Sequence, residues 1–307
     1  MDFSLVLNYK RILCCSRKHG GSVSIILQKN FYKEFKMSLD NKLKKKMKRG
    51  QPTIGCWLSM GNAMAAEIVA TSGYDAAVLD HEHGPGHLQG AISLLQALGE
   101  NGPTPIMRVP WNDPVYIKRA LDIGVMGIII PYVQNAEEAE AAVAACHYPL
   151  KGIRGVAPHA GRCSRWGMRL DEYLDDLPNK ILVICQIETE EAISNIGEIA
   201  EVPGVDMLFM GPSDISASIG KALISNNPEV KRIYARCERK MRATGKLLGT
   251  VTRPGKTVEW TYRRGFDFVI SGSDAKLLAS AAQSQVSNFR LKQNDLQKAV
   301  KAIKKSK

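Results

Sequence analysis

The chain has 307 residues, 45% of them hydrophobic and 23% charged, which fits one large folded domain with a sizeable core and excludes a wholly disordered protein. Its net charge of +12 belongs to the ends: residues 1–50 carry 13 Lys/Arg against 3 Asp/Glu, and residues 285–307 carry 7 against 1, leaving 22 against 26 in 51–284. The body is mildly acidic, which argues against nucleic-acid binding or membrane attachment as a main function. Seven cysteines without C-x-x-C spacing favour reduced, buried thiols over a disulfide frame or zinc site, and no apolar run reaches the ~18 residues of a membrane span.

Residues 1–36 are basic and nearly free of acid, as transit peptides are, so a mitochondrial address stands beside a cytoplasmic one; Met37 is an alternative start. Residues 1–49 form a basic N-terminal extension. Its last part, 38–49, is predicted to be a helix capped by Ser38 or Asp40 and stopped by Gly50 and Pro52. Eight apolar bursts rich in Val, Ile, Leu and Met follow, at 53–59, 76–80, 104–109, 127–133, 181–187, 206–211, 246–252 and 266–272. They read as buried parallel strands. Helical periodicity fills the gaps at 62–73, 91–102, 113–124, 136–148, 190–204 and 228–245. Several of these helices end at a glycine suited to the left-handed cap: Gly73, Gly102, Gly124, Gly204, Gly245 and Gly265.

Regular β/α alternation predicts an α/β fold, a (β/α)8 TIM barrel over 50–284, with an extra N-terminal segment and a basic C-terminal helical tail at 285–307. An open doubly wound sheet would need a glycine-rich turn after the first strand, and Leu58-Ser59-Met60-Gly61-Asn62 is not one. The long stretch 147–180 is expected on the catalytic rim, as a lid or partner contact.

Five chemically useful residues close these strands: Asp80, His83, Arg108, Glu188 and Asp214. In such a barrel they would share the C-terminal rim, where the active site lies. Asp80 could hold one ring nitrogen of His83 and leave the other as a base, although His81 or Glu82 could equally be the functional group, or the histidine could cap a helix. Glu188 and Asp214 offer hard oxygen ligands for Mg2+, Mn2+ or a similar ion, or else pair with Arg108 or Arg154 or cap helices. Gly211 and the amides near Ser213 could bind a carboxylate or phosphate. Arg108 presents a planar donor for an oxyanion, or a structural salt bridge to Asp80 or Glu188. No lysine ends a strand, and no G-x-S-x-G elbow or Walker loop occurs, which removes the Schiff-base, serine-hydrolase and P-loop classes.

The runs GYDAAVLDHEHGP, PIMRVP, IKRALDIGVMGIIIPYV, QIET, GVDMLFMGPSDIS and GSD lie in colinear order. Together they resemble the HpcH/HpaI aldolases, metal-dependent class II pyruvate aldolases. The resemblance implies a hexamer of swapped dimers and a divalent cation (Mg2+, Mn2+ or Co2+) held by Glu188 and Asp214. It places pyruvate beside Gln186 and Gly211-Pro212-Ser213, with Arg108 on the enolate oxygen and His83, oriented by Asp80, as base. The activity it implies is reversible cleavage of a 4-hydroxy-2-oxo acid to pyruvate and an aldehyde. Oxaloacetate decarboxylation, cleavage of a CoA ester of the citrate-lyase kind, and an inactive binding barrel are the alternatives. Ala157 and Leu177-Pro178-Asn179-Lys180 depart from the family pattern, in a loop expected to meet the aldehyde half.

Overall fold

A computed structural model describes residues 39–305, Asp176 and Ser225 excepted. The transit-like stretch, Met37 and Ser38 lie outside the described residues. Eight parallel strands close in sequence order: β1 (Thr53–Leu58), β2 (Ala76–Asp80), β3 (Thr104–Arg108), β4 (Gly127–Ile130), β5 (Leu182–Ile187), β6 (Met207–Met210), β7 (Leu247–Val251) and β8 (Phe268–Ser273). The fold is a (β/α)8 barrel, and each apolar burst supplies one strand. β4 is shorter than its burst because Pro131 has no amide to donate to the ladder.

Inward-facing side chains of alternate strand positions fill the barrel: Val78, Ile106, Ile129, Ile184, Phe209 and Phe268 form one packed cluster. Gly249 makes room for it, since a Cβ there would lie 2.6 Å from the Phe209 ring. Helices Ala63–Thr71, Leu88–Leu98, Pro114–Asp122, Ala136–Cys146 and Pro228–Ala243 are capped by the side chains of Asn62, His87, Asp113, Asn135 and Asn227, each accepting a first-turn amide. The second of these starts earlier than its periodicity suggests. It also ends earlier, so Gly99 (φ 67°) and not Gly102 takes the positive φ at its end. Helical periodicity at 190–204 resolves into two pieces, Glu190–Ser194 and Ile196–Glu201, meeting at Asn195.

The opening helix, Lys42–Lys48, is part of the barrel unit, which begins at Asp40. Its N-cap is Asn41 rather than Ser38 or Asp40. Leu43 and Met47 join the barrel cluster, and buried Lys44 reaches the Ile181 carbonyl at 2.7 Å and Asp206 Oδ2 at 2.8 Å. An amphipathic basic helix thus plugs the N-terminal mouth of the barrel.

Segment 147–180 corrects an expectation. It connects a helix to the start of β5, and α-to-β connections return the chain to the N-terminal face, opposite the strand ends. Buried Arg154 binds Asp122 Oδ1 at 2.6 Å and the Tyr173 hydroxyl, while Lys180 and Pro178 offer carbonyls to Asn41 and Lys44. Within the chain this loop and its Ala157 therefore do not meet the catalytic rim. The tail is one helix, Asp274–Lys305, anchored by Asp274, whose carboxylate accepts from Ser59 N and Met60 N. Leu278, Val286, Phe289 and Leu291 on it are exposed. No described helix is long and apolar enough to cross a membrane.

Candidate active site

Strand register assembles the site. β2 and β3 pair Asp80 with Arg108, so the two side chains meet where both strands end. Arg108 donates from Nε to Asp80 Oδ1 (2.9 Å) and from Nη2 to Oδ2 (2.7 Å), and its Nη1 lies 3.0 Å from Glu82 Oε2. Its Cζ sits 4.3 Å from the centre of the Trp57 ring on β1. Two carboxylates and an indole hold one guanidinium at the barrel mouth. Burial alone would raise the Asp80 pKa. Hydrogen bonding and charge from Arg108, with the His83 and Glu82 amides, outweigh it and keep that carboxyl below its usual range.

β5 and β6 pair Ile187 with Met210, which sets Glu188 alongside Gly211 and one turn from Asp214. Glu188 is buried; its Oε2 accepts from the Tyr132 amide at 2.9 Å and its Oε1 from Gln186 Nε2. Gly211 is required here, because a Cβ would stand 2.8 Å from both Glu188 Cγ and Oε1. Desolvation pushes Glu188 up to about 8, with the Tyr132 amide opposing and the charges of Asp214 and Glu82 adding. Glu82 is also raised, chiefly by burial, against the pull of Arg108 and His83 and with Asp80 and Asp214 reinforcing. Three acidic side chains thus converge with one fixed arginine among them. The carbonyl oxygen Oε1 of Gln186 is buried beside them with no donor among the described residues. The helix Pro212–Ser218 opens without a side-chain cap, leaving its first amides near Ser213 available.

Asp80 does not orient His83. Its carboxylate is committed to Arg108 and to the amides of residues 82 and 83, and the His83 side chain is 65% exposed, with Nε2 3.9 Å from Glu82 Oε2. The acid–histidine pair read from D-x-x-H is replaced by an acid–arginine pair, because cross-strand neighbours are closer than residues three apart on a turn. His81 faces away, with Nδ1 2.7 Å from the Tyr116 hydroxyl. Glu82, undistinguished in the sequence among its neighbours, shares Arg108 with Asp80; the signal for it was its two-residue offset from Asp80. Trp57 and the Tyr132 amide carried no signal of their own. Among the described residues no three His, Cys, Asp or Glu side chains form a complete metal cage. Two carboxylates from the chain would leave the other positions to water and substrate oxygens.

The profile of the HpcH/HpaI aldolase/citrate lyase family matches residues 53–281, most of the chain. The chain belongs to that family. It is 40% identical over 256 residues to the 4-hydroxy-2-oxo-heptane-1,7-dioate aldolase of Salmonella paratyphi C (strain RKS4594), covering 83% of this chain and 97% of the relative. Among solved structures, an HpcH/HpaI aldolase/citrate lyase family protein from Burkholderia cenocepacia J2315 superposes with a TM-score of 0.76 at 31% identity, covering 81% of this chain and 99% of that one. The HpcH/HpaI aldolase from Desulfitobacterium hafniense DCB-2 gives 0.73 at 27% identity, over 80% and 96%. As an HpcH/HpaI aldolase, the chain is a carbon–carbon lyase of the class II type.

Proposed function

We propose that this HpcH/HpaI aldolase cleaves 4-hydroxy-2-oxo acids to pyruvate and an aldehyde with the aid of a divalent cation. The observation that carries the proposal is the convergence of Glu82, Glu188 and Asp214 on the rim beside a single pinned guanidinium. Carboxylate oxygens gathered around the buried Glu188 are the donor set a hard dication satisfies, and a histidine- or thiol-seeking metal would find no match there. Glu188 and Asp214 would hold the ion. When bound, it supplies positive charge against the enolate that C–C cleavage leaves behind.

The chain's own groups do the rest. The open amides around Ser213, following Gly211 and Pro212, receive the carboxylate end of the 2-oxo acid, and Gln186, whose Nε2 is given to Glu188, lines the pocket beside it. Arg108, unable to rotate because Asp80 grips it through two parallel hydrogen bonds, faces the C2 oxygen as negative charge develops there. A base takes the proton of the C4 hydroxyl, the C3–C4 bond breaks, and its electron pair passes to the C2 oxygen. Protonation of C3 completes pyruvate. His83 is the rim imidazole within reach of an aldehyde half entering from solvent, with Glu82 rather than Asp80 as its acidic neighbour. Physiological assembly as a homo-oligomer, a hexamer of swapped dimers, is supported by the apolar side chains that Asp274–Lys305 leaves exposed.

Pyruvate release, followed through lactate dehydrogenase over a panel of 4-hydroxy-2-oxo acids, tests the activity. The expected result is turnover of at least one member, abolished by excess EDTA and restored by Mg2+, Mn2+ or Co2+. Full turnover in EDTA would refute the role of the ion.

A further inference from the structure

We propose that the outer groove between helices Pro228–Ala243 and Val258–Tyr262 binds a small phosphate-bearing anion, at a site separate from the barrel mouth. The groove encloses about 250 Å3 and is lined by Lys231, Tyr234, Arg253, Lys256, Trp260 and Arg264. Four cations face one cavity. One carboxylate, Glu238, lies beneath them with no exposed side-chain surface, and it accepts from both Arg253 and Arg264, the latter through Nε at 2.6 Å.

That carboxylate fixes the two guanidiniums but leaves an excess of three positive charges, and among the described residues no acid is paired with Lys231 or Lys256. Trp260 gathers them: Arg253 Cζ, Lys256 Nζ and Arg264 Cζ lie 5.1, 5.1 and 5.0 Å from its ring centre, and Arg253 also stands 4.8 Å from that of Tyr234. Cations crowd around the indole, so it is not open to a stacked base. Like charges held close on a half-buried wall repel unless an anion joins them. A phosphoryl group fits this demand better than a single carboxylate. It carries up to two charges and three acceptor oxygens on one centre, matching the N–H groups that Glu238 leaves on two fixed guanidiniums and two mobile ammonium groups.

The groove flanks the catalytic rim from outside the barrel, since Arg253 and Lys256 stand on the loop that leaves β7. Tyr234 donates its hydroxyl to the Pro212 carbonyl at 2.6 Å, at the start of the helix that carries Asp214, while its ring faces the cations. None of the lining residues belongs to the Asp80–Arg108–Glu188 cluster, so binding can be read without assaying the aldolase.

Calorimetric titration of the full chain with inorganic phosphate and with glycerol 3-phosphate, at ionic strength fixed with sodium chloride, tests the site, with malonate as the carboxylate comparator. We expect both phosphates to bind with one site per chain and malonate to bind more weakly. Lys231→Ala/Lys256→Ala changes two exposed side chains outside the Glu238 network. It should weaken phosphate binding by about tenfold or more while leaving the phosphate-free melting temperature unchanged. Unaltered phosphate affinity in the double variant, absence of phosphate binding to the parent, or malonate binding as tightly as phosphate would each overturn the proposal.

Discussion

Arg108 shows how a single side chain can be both structural and chemical. Its two hydrogen bonds to Asp80 read as an internal salt bridge, yet the same bonds immobilise a guanidinium at the strand ends where an oxyanion would form. Arg108→Lys keeps the charge and loses the fork, so pyruvate release should fall by roughly 10²–10³ while calorimetric Mn2+ affinity stays near that of the parent; unchanged turnover would reduce Arg108 to a structural tie. His83→Ala should lower turnover by roughly 10²–10⁴, the range of a general base, and leave the melting temperature unmoved because the side chain is exposed. An effect on melting without one on turnover would remove His83 from the mechanism. Glu188 adds a pH dependence. Its carboxyl is pushed up to about 8, and a dication binds the ionised form, so Mn2+ affinity should rise as pH increases toward that value, with proton release on binding. A flat profile between pH 6 and 8.5 would contradict the burial argument.

At the level of elements, the strands were legible because buried parallel strands have a signature that depends on few residues at a time: short runs of Val, Ile, Leu and Met ended by polar groups. Each strand-end residue then landed on one rim, which periodicity and barrel topology together require. Pairing across the rim was less accessible. The Asp80–Arg108 grip depends on strand register, a relation between residues 28 apart that no local spacing encodes. The placement of 147–180 was misread for another reason: length and polarity suggested a lid, but the direction of the chain, helix to strand, sends it to the opposite face. Gly211 links element geometry to chemistry. Gly211→Ala drives a methyl into Glu188, and the expected outcome is weaker Mn2+ binding with the strand order intact by circular dichroism; parent-like binding would mean that Glu188 can shift freely. Lys44 likewise ties the plug helix to β5 and β6. Removing one partner of a buried ion pair costs about 3–5 kcal/mol, so Lys44→Ala should lower the denaturation midpoint clearly, whereas a midpoint equal to the parent's would show that Leu43 and Met47 alone hold the plug.

Across the whole molecule, stability and metal should be linked through pH. His81 and His147 are held neutral chiefly by burial, with folded pKa values below the ordinary 6.5, so the unfolded chain takes up protons first and stability declines as pH falls below that value. Glu188 acts in the other direction. Its folded pKa lies above its unfolded value of 4.5, so its stabilising contribution is complete below 4.5 and is lost as pH rises toward about 8. The metal-free protein should therefore melt highest at mildly acidic pH, and Mn2+ should remove the alkaline decline while leaving the acidic one. Thermal melts between pH 5 and 8.5, with EDTA or Mn2+, give the comparison; an identical alkaline limb in both would separate the carboxylate cluster from the ion.

The claim on which the aldolase account rests is that Glu188 and Asp214 share one divalent cation. Calorimetric titration of Mn2+ into the parent chain and into Glu188→Gln and Asp214→Asn, at pH 8, measures it directly. The account predicts one site per chain in the parent and a loss of affinity of more than about tenfold in either variant. Parent-like affinity in both variants would place the ion elsewhere and leave the acidic cluster without its function.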